Sequence, residues 1–510
     1  MRAWVSTRFA MMRMHSVSHR LLESYLSQPY AFFLNRHSGE MGPRVLAESE
    51  QIMLRFFRPA AETIASCLTT LAIVGLLLWV EPVIGMVSFA ILGGIYYTIY
   101  LSTRRIISRF GEDRVEANSA RFRHANDSLA GIKDIKLLGR ELTYLDRYEF
   151  ESIRWARTLI KVDIFTQVPQ FAMQALALGG IIILSIMLLD PVSVASGTAL
   201  GDFLPVIGLF AFAGQRLLPE LSKLYQSLAL IQSGSAAVSA VYEDLVVRKS
   251  VNKLSRVPVE GLGLRQSIRL NGVSYSYPNS QNSGVHDVTV SICAGEKIGI
   301  VGSTGAGKTT LVDVVLGLLE PGCGNLLVDG KEIISENVRM WMQSVGYVPQ
   351  DIFLTDETIA ENIALGVPLE DIDYGRIYNA ARIAQIDKFI LEELAQGYKT
   401  YVGERGVRLS GGQRQRIGIA RALYRDANLI VFDEATSALD NLTEAEVMDA
   451  IDSLPGDKTV LMIAHRLTTV QLCDRIVVLE SGRIVGCDNW ANLMKENAAF
   501  QRIARMGTVA

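Results

Sequence analysis

Cysteine is scarce and unpatterned in this chain. Of 510 residues only five are cysteine, at Cys67, Cys293, Cys323, Cys473 and Cys487. The number is odd and no CxxC pair occurs, so neither a disulfide framework nor a zinc site of paired thiols follows. Net charge is also lacking: 50 Lys and Arg against 53 Asp and Glu leave −3. Nucleic acid is therefore not an expected partner, because domains that bind it are strongly basic. The first residues, MRAWVSTRFAMMRMHSVSHR, hold no acid. They lack the continuous apolar core and small-residue cleavage site of a secretory leader. They read as the cytoplasmic part of a helix.

What the chain has in excess is apolar residues, at 49%, and they are unevenly placed. The length suits two or three domains. The first 240 or so residues carry the excess, and the remainder reads as an α/β domain. Crossing a bilayer takes about 20 mostly apolar helical residues. Stretches 63–80, 82–101 and 171–189 qualify, and 203–218 qualifies with an amphipathic inner end. No Lys or Arg lies at 81–82 or in 190–202, whereas 103–161 is studded with them, from Arg104 and Arg105 to Arg157 and Lys161. Cytoplasmic loops hold the excess of cations. Both short hairpins are thus expected outside, and the long basic segment and both termini in the cytosol. The helices are expected to run on past the membrane and turn near 126–138 (NDSLAGIKDIKLL). A matching turn near 28–37 (QPYAFFLNRH) is the second expectation, with plain helix packing of its aromatics as the alternative. A membrane domain over 1–245, a polar linker over 246–264 and a soluble domain over 265–510 complete the division.

From Ser267 the pattern becomes short strands: SIRLNGVSYSY, DVTVSI and KIGIV. Directly after the last come Gly302, Ser303, Thr304, Gly305, Ala306, Gly307, Lys308, Thr309 and Thr310, then the helical run TLVDVVLGLL. This is GxxxxGK[ST] between a strand and a helix. Small residues let backbone N–H groups wrap phosphates at a positive helix N-terminus. Lys308 neutralises the β/γ oxygens, and the Thr309 hydroxyl suits Mg²⁺. A second apolar strand, NLIVF at 428–432, runs into Asp433 and Glu434. Asp433 is placed to hold Mg²⁺ directly or through water, and Glu434 to polarise the attacking water. Two adjacent acids at a strand end are common, and they gain meaning here from the phosphate loop.

Leu409, Ser410, Gly411, Gly412 and Gln413 spell LSGGQ, and on that segment the soluble half resembles the ABC ATPases. The resemblance implies roles for further residues. Tyr277 is similar to the aromatic that stacks on adenine, with Tyr275 as the competing candidate. Gln350, in YVPQDIFL, resembles the glutamine that meets Mg²⁺ and senses the membrane domain. The GERG at 403–406 resembles the segment that exporters place before the signature. The SALD ending at Asp440 resembles the loop crossing between two ATPase domains, and His465, in MIAHRL, the histidine that contacts the γ-phosphate. In the family ATP lies between the phosphate loop of one domain and the signature of another. One copy of each motif then implies two composite sites in a dimer, of this chain with itself or with a partner half-transporter.

Membrane part first and ATPase second on one chain is similar to the exporter branch. The implied fold is an α-helical transmembrane bundle of exporter type followed by an α/β P-loop ABC ATPase domain. GIKDIKLLGRELTYLDRYE and QRLLPELSKLYQSL resemble flippases of lipid-linked oligosaccharides. A lipid-linked or amphipathic cargo, with membrane lipids as surroundings and the bacterial inner membrane as location, is what that implies. An exporter of another lipid, a peptide or a drug is the alternative. Arg216, by the last span, either snorkels to the cytoplasmic interface or lines a cavity for an anionic headgroup. Six helices are usual in such halves and four are counted here. Residues 1–51 resemble the lower end of the second helix and the first coupling turn. The expectation is a misassigned start, a fragment that binds ATP without transporting, or helices supplied by another polypeptide.

Overall fold

The computed structural model describes residues 2–507 apart from 35, 37, 81, 189–198, 248–259, 278–283, 434–440 and 465–466. The chain divides into two compact units. The first is Met1–Gln28 with Phe32–Lys253, and the second is Pro29–Ala31 with Leu254–Ala510. Most of the expected linker lies outside the described residues.

The first unit is helical: α1 (Arg2–Leu26), α2 (Arg58–Val80), α3 (Pro82–Ala130), α4 (Ile132–Leu138), α5 (Glu141–Leu188) and α6 (Ala199–Tyr242). With 49, 48 and 44 residues, α3, α5 and α6 each run for roughly 70 Å, more than twice the hydrocarbon thickness of a bilayer. The apolar stretches read from the sequence are therefore one part of much longer rods, as the few helix breakers in 103–161 require. Helix α3 stops at Ala130, and α4 ends on Gly139 at φ +62, whose N–H closes onto the carbonyls of Ile135 and Lys136. Glycine takes that left-handed cap without steric cost. Near 28–37 a short helix, Tyr30–Leu34, follows the end of α1.

Helix α2 is inverted relative to a helix of a water-soluble protein. Ile64, Leu68 and Leu71 are each 65% exposed, whereas Ser66, Thr70, Val74 and Leu77 are buried. Hydroxyl-bearing residues packed inside, beside Val74 and Leu77, with large apolar residues outside is the arrangement of a helix surrounded by lipid. Among the described residues, the stretch Met41–Val80 is long and apolar enough to cross a membrane.

Polar side chains tie the long helices together. The hydroxyls of Tyr96 and Ser222 lie 2.9 Å apart, and those of Thr103 and Tyr225 lie 3.1 Å apart. Pro169 sits inside α5. It has no N–H, so the carbonyl of Phe165 one turn earlier loses its helical donor. The Tyr225 hydroxyl of α6 donates to that carbonyl at 3.0 Å. A neighbouring helix thus satisfies the backbone group that the proline orphans.

Two π-turns, Arg44–Glu48 and Met53–Phe57, interrupt the chain ahead of α2. They turn Glu48, Ser49, Ile52 and Met53 inward. Glu48 accepts from Arg114 Nη2 at 2.8 Å and from Asn118 Nδ2 at 2.9 Å, all three side chains being buried. Past the end of α6, Asp244 accepts from the Tyr25 hydroxyl at 2.6 Å, Arg44 Nη1 at 2.6 Å and Arg36 Nη1 at 3.0 Å. Burial pushes the Asp244 carboxyl up, but Tyr25 and the two guanidiniums hold it below its ordinary value.

The second unit has two sheets. A four-stranded antiparallel sheet runs β2-β1-β4-β5, built from β1 (Ser267–Ser276), β2 (Gly284–Cys293), β4 (Cys323–Val328) and β5 (Lys331–Glu332). A six-stranded sheet runs β10-β9-β3-β8-β7-β6. Its strands are β3 (Lys297–Gly302), β6 (Val345–Val348), β7 (Leu429–Asp433), β8 (Thr459–Ile463), β9 (Arg475–Glu480) and β10 (Arg483–Asp488). All neighbours pair in parallel except β10. Every residue of β8 is buried, as parallel strands covered on both faces require. The register pairs Ile300 with Ile463, Ile463 with Asp433, and Val348 with Phe432. The carboxyl ends of β3, β7, β8 and β6 therefore come to one edge, where open parallel sheets bind ligands.

Candidate active site

At that edge β3 ends on Gly302 and a helix, α7 (Lys308–Val315), begins. Between them Gly305 and Gly307 adopt φ +80 and φ +97. A Cβ on Gly305 would touch nothing within 4 Å, so there the backbone angle alone demands glycine; on Gly307 it would also meet the Gly284 carbonyl at 2.6 Å. The loop curls around the Lys308 ammonium, which donates to the carbonyls of Gly302 at 2.8 Å and Ser303 at 3.2 Å. Lys308 is buried. A buried cation inside a ring of small residues, at the start of a helix, is a fit for polyphosphate.

Carboxylates stand beside this cradle. Asp433 is the last residue of β7, as its place after NLIVF requires. Its Oδ2 accepts from the Tyr347 hydroxyl at 2.9 Å. Asp313, one turn and more along α7, has its carboxyl pushed up to about 6 by burial and by Asp433. Two acids that repel each other at the mouth of a phosphate loop fit a divalent cation, which relieves the repulsion. Among the described residues no cluster of three His, Cys, Asp or Glu occurs. The expected set of Thr309, Gln350 and Asp433 has one carboxylate, in keeping with Mg²⁺ held chiefly by phosphate and water. Neither Tyr347 nor Asp313 stood out in the sequence. The one signal was the single acid in the apolar run TLVDVVLGLL.

The Tyr277 hydroxyl lies 3.1 Å from that of Thr310 on α7, and its ring meets Tyr275 edge-on at 5.3 Å. Tyr275 packs against the apolar core of this unit. The pair thus separates, with Tyr277 against the phosphate-loop helix and Tyr275 in the packing. Gln350 follows β6 and Pro349. The GERG segment forms a tight turn, Glu404–Gly406, with Arg405 at φ +52, a conformation non-glycine residues rarely adopt.

Ser410 caps a 14-residue helix, α8 (Gly411–Tyr424). Its hydroxyl accepts from Gln413 N at 3.2 Å, and Gln413 Oε1 accepts from Ser410 N at 2.8 Å. This reciprocal box consumes a lone pair and leaves the hydroxyl proton of Ser410 to be given to an anion. Glu434, Asp440 and His465 lie outside the described residues.

A phosphate loop after β3, an acid at the end of β7 and a capped glycine-rich helix define a P-loop ATPase of the ABC type. Residues 285–437 match the ABC transporter family, and residues 1–212 match the ABC transporter transmembrane region. The ATP-dependent lipid A-core flippase of Alkalilimnicola ehrlichii is 30% identical over 508 residues, covering 99% of this chain and 83% of the relative. That of Saccharophagus degradans is 31% identical over 486 residues, covering 93% and 78%. A bacterial Atm1-family ABC exporter, solved with ATP bound, superposes with a TM-score of 0.84 at 25% identity, covering 99% of this chain and 87% of the other. The chain belongs to the ABC transporter family. It is a membrane protein with an exporter-type transmembrane domain followed by an ABC domain, and it binds and hydrolyses ATP.

Proposed function

We propose that two copies of this chain close head to tail around two ATP molecules and use their hydrolysis to move a saccharide-bearing or related lipid across a bacterial inner membrane. The observation that carries the dimer is one phosphate loop and one LSGGQ per chain. Ser410 caps a helix whose N-terminus is ready for an anion, and a composite site supplies that anion from the other copy. A partner half-transporter in place of the second copy is the alternative.

In each composite site residues 302–310 and Tyr277 hold the nucleotide, with Lys308 neutralising phosphate charge. Ser410, Gly411, Gly412 and Gln413 of the other copy close over the γ-phosphate, and Asp440 lies on the loop crossing between copies. Thr309, Gln350 and Asp433 would hold Mg²⁺, which when bound offsets the charge on the β- and γ-oxygens. Glu434 takes a proton from the attacking water, and His465 donates to the γ-phosphate. We assign the turns near 28–37 and 126–138 as the coupling turns of the membrane domain. On this reading the chain crosses the membrane near 63–80, 82–101, 171–189 and 203–218, with the ATPase domain and both termini in the cytoplasm. Arg216 is exposed, in keeping with a cation that reaches the interface.

The relatives named lipid A-core flippases support the cargo class. Phosphate release from the chain reconstituted in vesicles tests it. Saccharide-bearing lipids, including lipid A-core and polyprenyl-linked sugars, are expected to raise the rate at least about fivefold, the lower end of the usual range of coupling between sites. Plain phospholipid leaves it unchanged. Stimulation by peptides or drugs alone points to the other exporter reading and removes this one.

A further inference from the structure

Helix α8 grips the loop that carries Gln350. Gln415, 6% exposed, donates from Nε2 to the backbone carbonyl of Gln350 at 2.9 Å and lies 3.4 Å from that of Pro349. Arg421 donates from Nη2 to the Phe353 carbonyl at 3.0 Å and from Nε to the Asn362 carbonyl at 2.9 Å. Between them Gly418 faces the same segment. A Cβ there would come within 2.5 Å of Ile352 Cδ1 and 3.4 Å of Val348 Cγ1. Positions 415, 418 and 421 are spaced by three and share one helix face. That face is pressed against residues 348–353, and a methyl group at 418 would fit only if the Ile352 side chain moved.

The contacts are costly in a way that simple packing is not. Burial pushes the Arg421 guanidinium down to about 10, and its described partners are main-chain carbonyls. Gln415 buries an amide oxygen, Oε1, that has no hydrogen-bond partner. An apolar side chain at either place would avoid that desolvation. What the polar groups add is direction, fixing the main chain on both sides of Gln350 relative to Ser410.

We propose that Gln415 is a positioning residue that joins the two composite sites of the dimer. This rests on the head-to-tail reading above. In that arrangement Ser410 and Gln350 of one copy belong to different sites, because Gln350 follows β6, whose carboxyl end shares a sheet edge with the strand that carries its own phosphate loop. Closure of Ser410 on the γ-phosphate at one site carries α8, and Gln415 carries the Gln350 loop of the other site with it. ATP binding at the first site therefore sets Gln350 at the second, and the two sites hydrolyse cooperatively.

The test is the dependence of hydrolysis on ATP concentration, measured on the full chain in vesicles. The wild type is expected to show a Hill coefficient above one, with two sites setting the ceiling. Gln415→Leu keeps the volume and removes the donor. Gln415→Glu keeps the shape and sets an acceptor against the Gln350 carbonyl. Arg421→Lys keeps the charge with fewer donors. Both Gln415 variants are expected to bring the coefficient to one and slow maximal turnover about tenfold, with Arg421→Lys falling between. The comparison uses variants that melt within about 3 °C of the wild type, a range that excludes a general loss of fold. A wild-type coefficient retained by such a variant overturns the proposal, as does a wild-type coefficient of one. Failure of the dimer reading shows separately, as a wild type that stays monomeric with ATP.

Discussion

Glu434→Gln is expected to slow ATP turnover by about 10²–10⁴-fold, the usual contribution of a positioned general base, while nucleotide still binds. Glutamine keeps the shape of the side chain and removes its capacity to take a proton from water. The cradle formed by residues 302–309 is untouched, with Lys308 still held over the loop by the Gly302 and Ser303 carbonyls. ATP thus remains bound and uncleaved, and copies that have closed on it do not reopen. Two readings check this together: phosphate release, and the fraction of protein that retains nucleotide and runs as a closed dimer after gel filtration. Hydrolysis near the wild-type rate would remove Glu434 from its role.

The second large effect is structural. Glu48 and Arg114 form an ion pair at 2.8 Å whose side chains are 1% and 2% exposed. Asn118 donates to the other carboxylate oxygen at 2.9 Å, and Arg121 donates to Asn118 Oδ1 at 2.8 Å. A second guanidinium, Arg55, lies close by and also feels Asp163. Arg114 Nε and Arg55 Nη1 are buried without partners, and the two guanidiniums are near enough to repel each other. Removing one member of such a pair costs about 3–5 kcal/mol because the other charge stays buried and uncompensated. The two deletions differ, however. Glu48→Ala leaves Arg114 facing Arg55, with Asp163 acting on Arg55 as the remaining acid, whereas Arg114→Met leaves Glu48 with Asn118 as donor and Arg55 as a nearby cation. Glu48→Ala is therefore the worse. Its apparent melting temperature in detergent is expected to fall by about 10 °C, and that of Arg114→Met by less. Glu48→Leu combined with Arg114→Met is expected to recover part of the loss, since an apolar pair carries no desolvation penalty. Equal melting of the two single variants would contradict the charge argument.

How much of this molecule can be read from its sequence depends on the range of the interactions. The phosphate loop was legible because its requirement is local, with glycines at positive φ between a strand and a helix. Asp433 was legible for the same reason, as was the turn at Gly131–Gly139, which needs only a break in a helical pattern. Tyr347 meets Asp433 across 86 residues, and Arg114 meets Glu48 across 66. No spacing rule reaches that far. Arg114 looked like one more cation of a basic segment. The π-turns that bring Glu48 inward have no sequence signature of their own, and without them the buried pair cannot be foreseen. Gln415 and Arg421 lie just beyond LSGGQ on the same helix. Their partners are main-chain carbonyls, which no residue pattern records. The full length of α3 and α5 was foreshadowed by the charge-rich, breaker-poor segment between the apolar stretches.

Complementation between two inactive variants tests most directly whether each ATP is shared by two copies. Lys308→Ala disables the phosphate loop of its own chain, and Ser410→Arg disables the signature that its chain lends to the other. In a mixed dimer both defects fall on one site and the second site is intact. Co-expressed and reconstituted together, the variants are expected to rise clearly above either parent, with about a quarter of wild-type hydrolysis as the ceiling under random pairing in a two-fold dimer and less where the dead site no longer sets Gln350 of the intact one, while each alone stays near background. A mixture that hydrolyses no faster than the more active parent would mean that each chain works on its own ATP, and the composite-site account would be wrong.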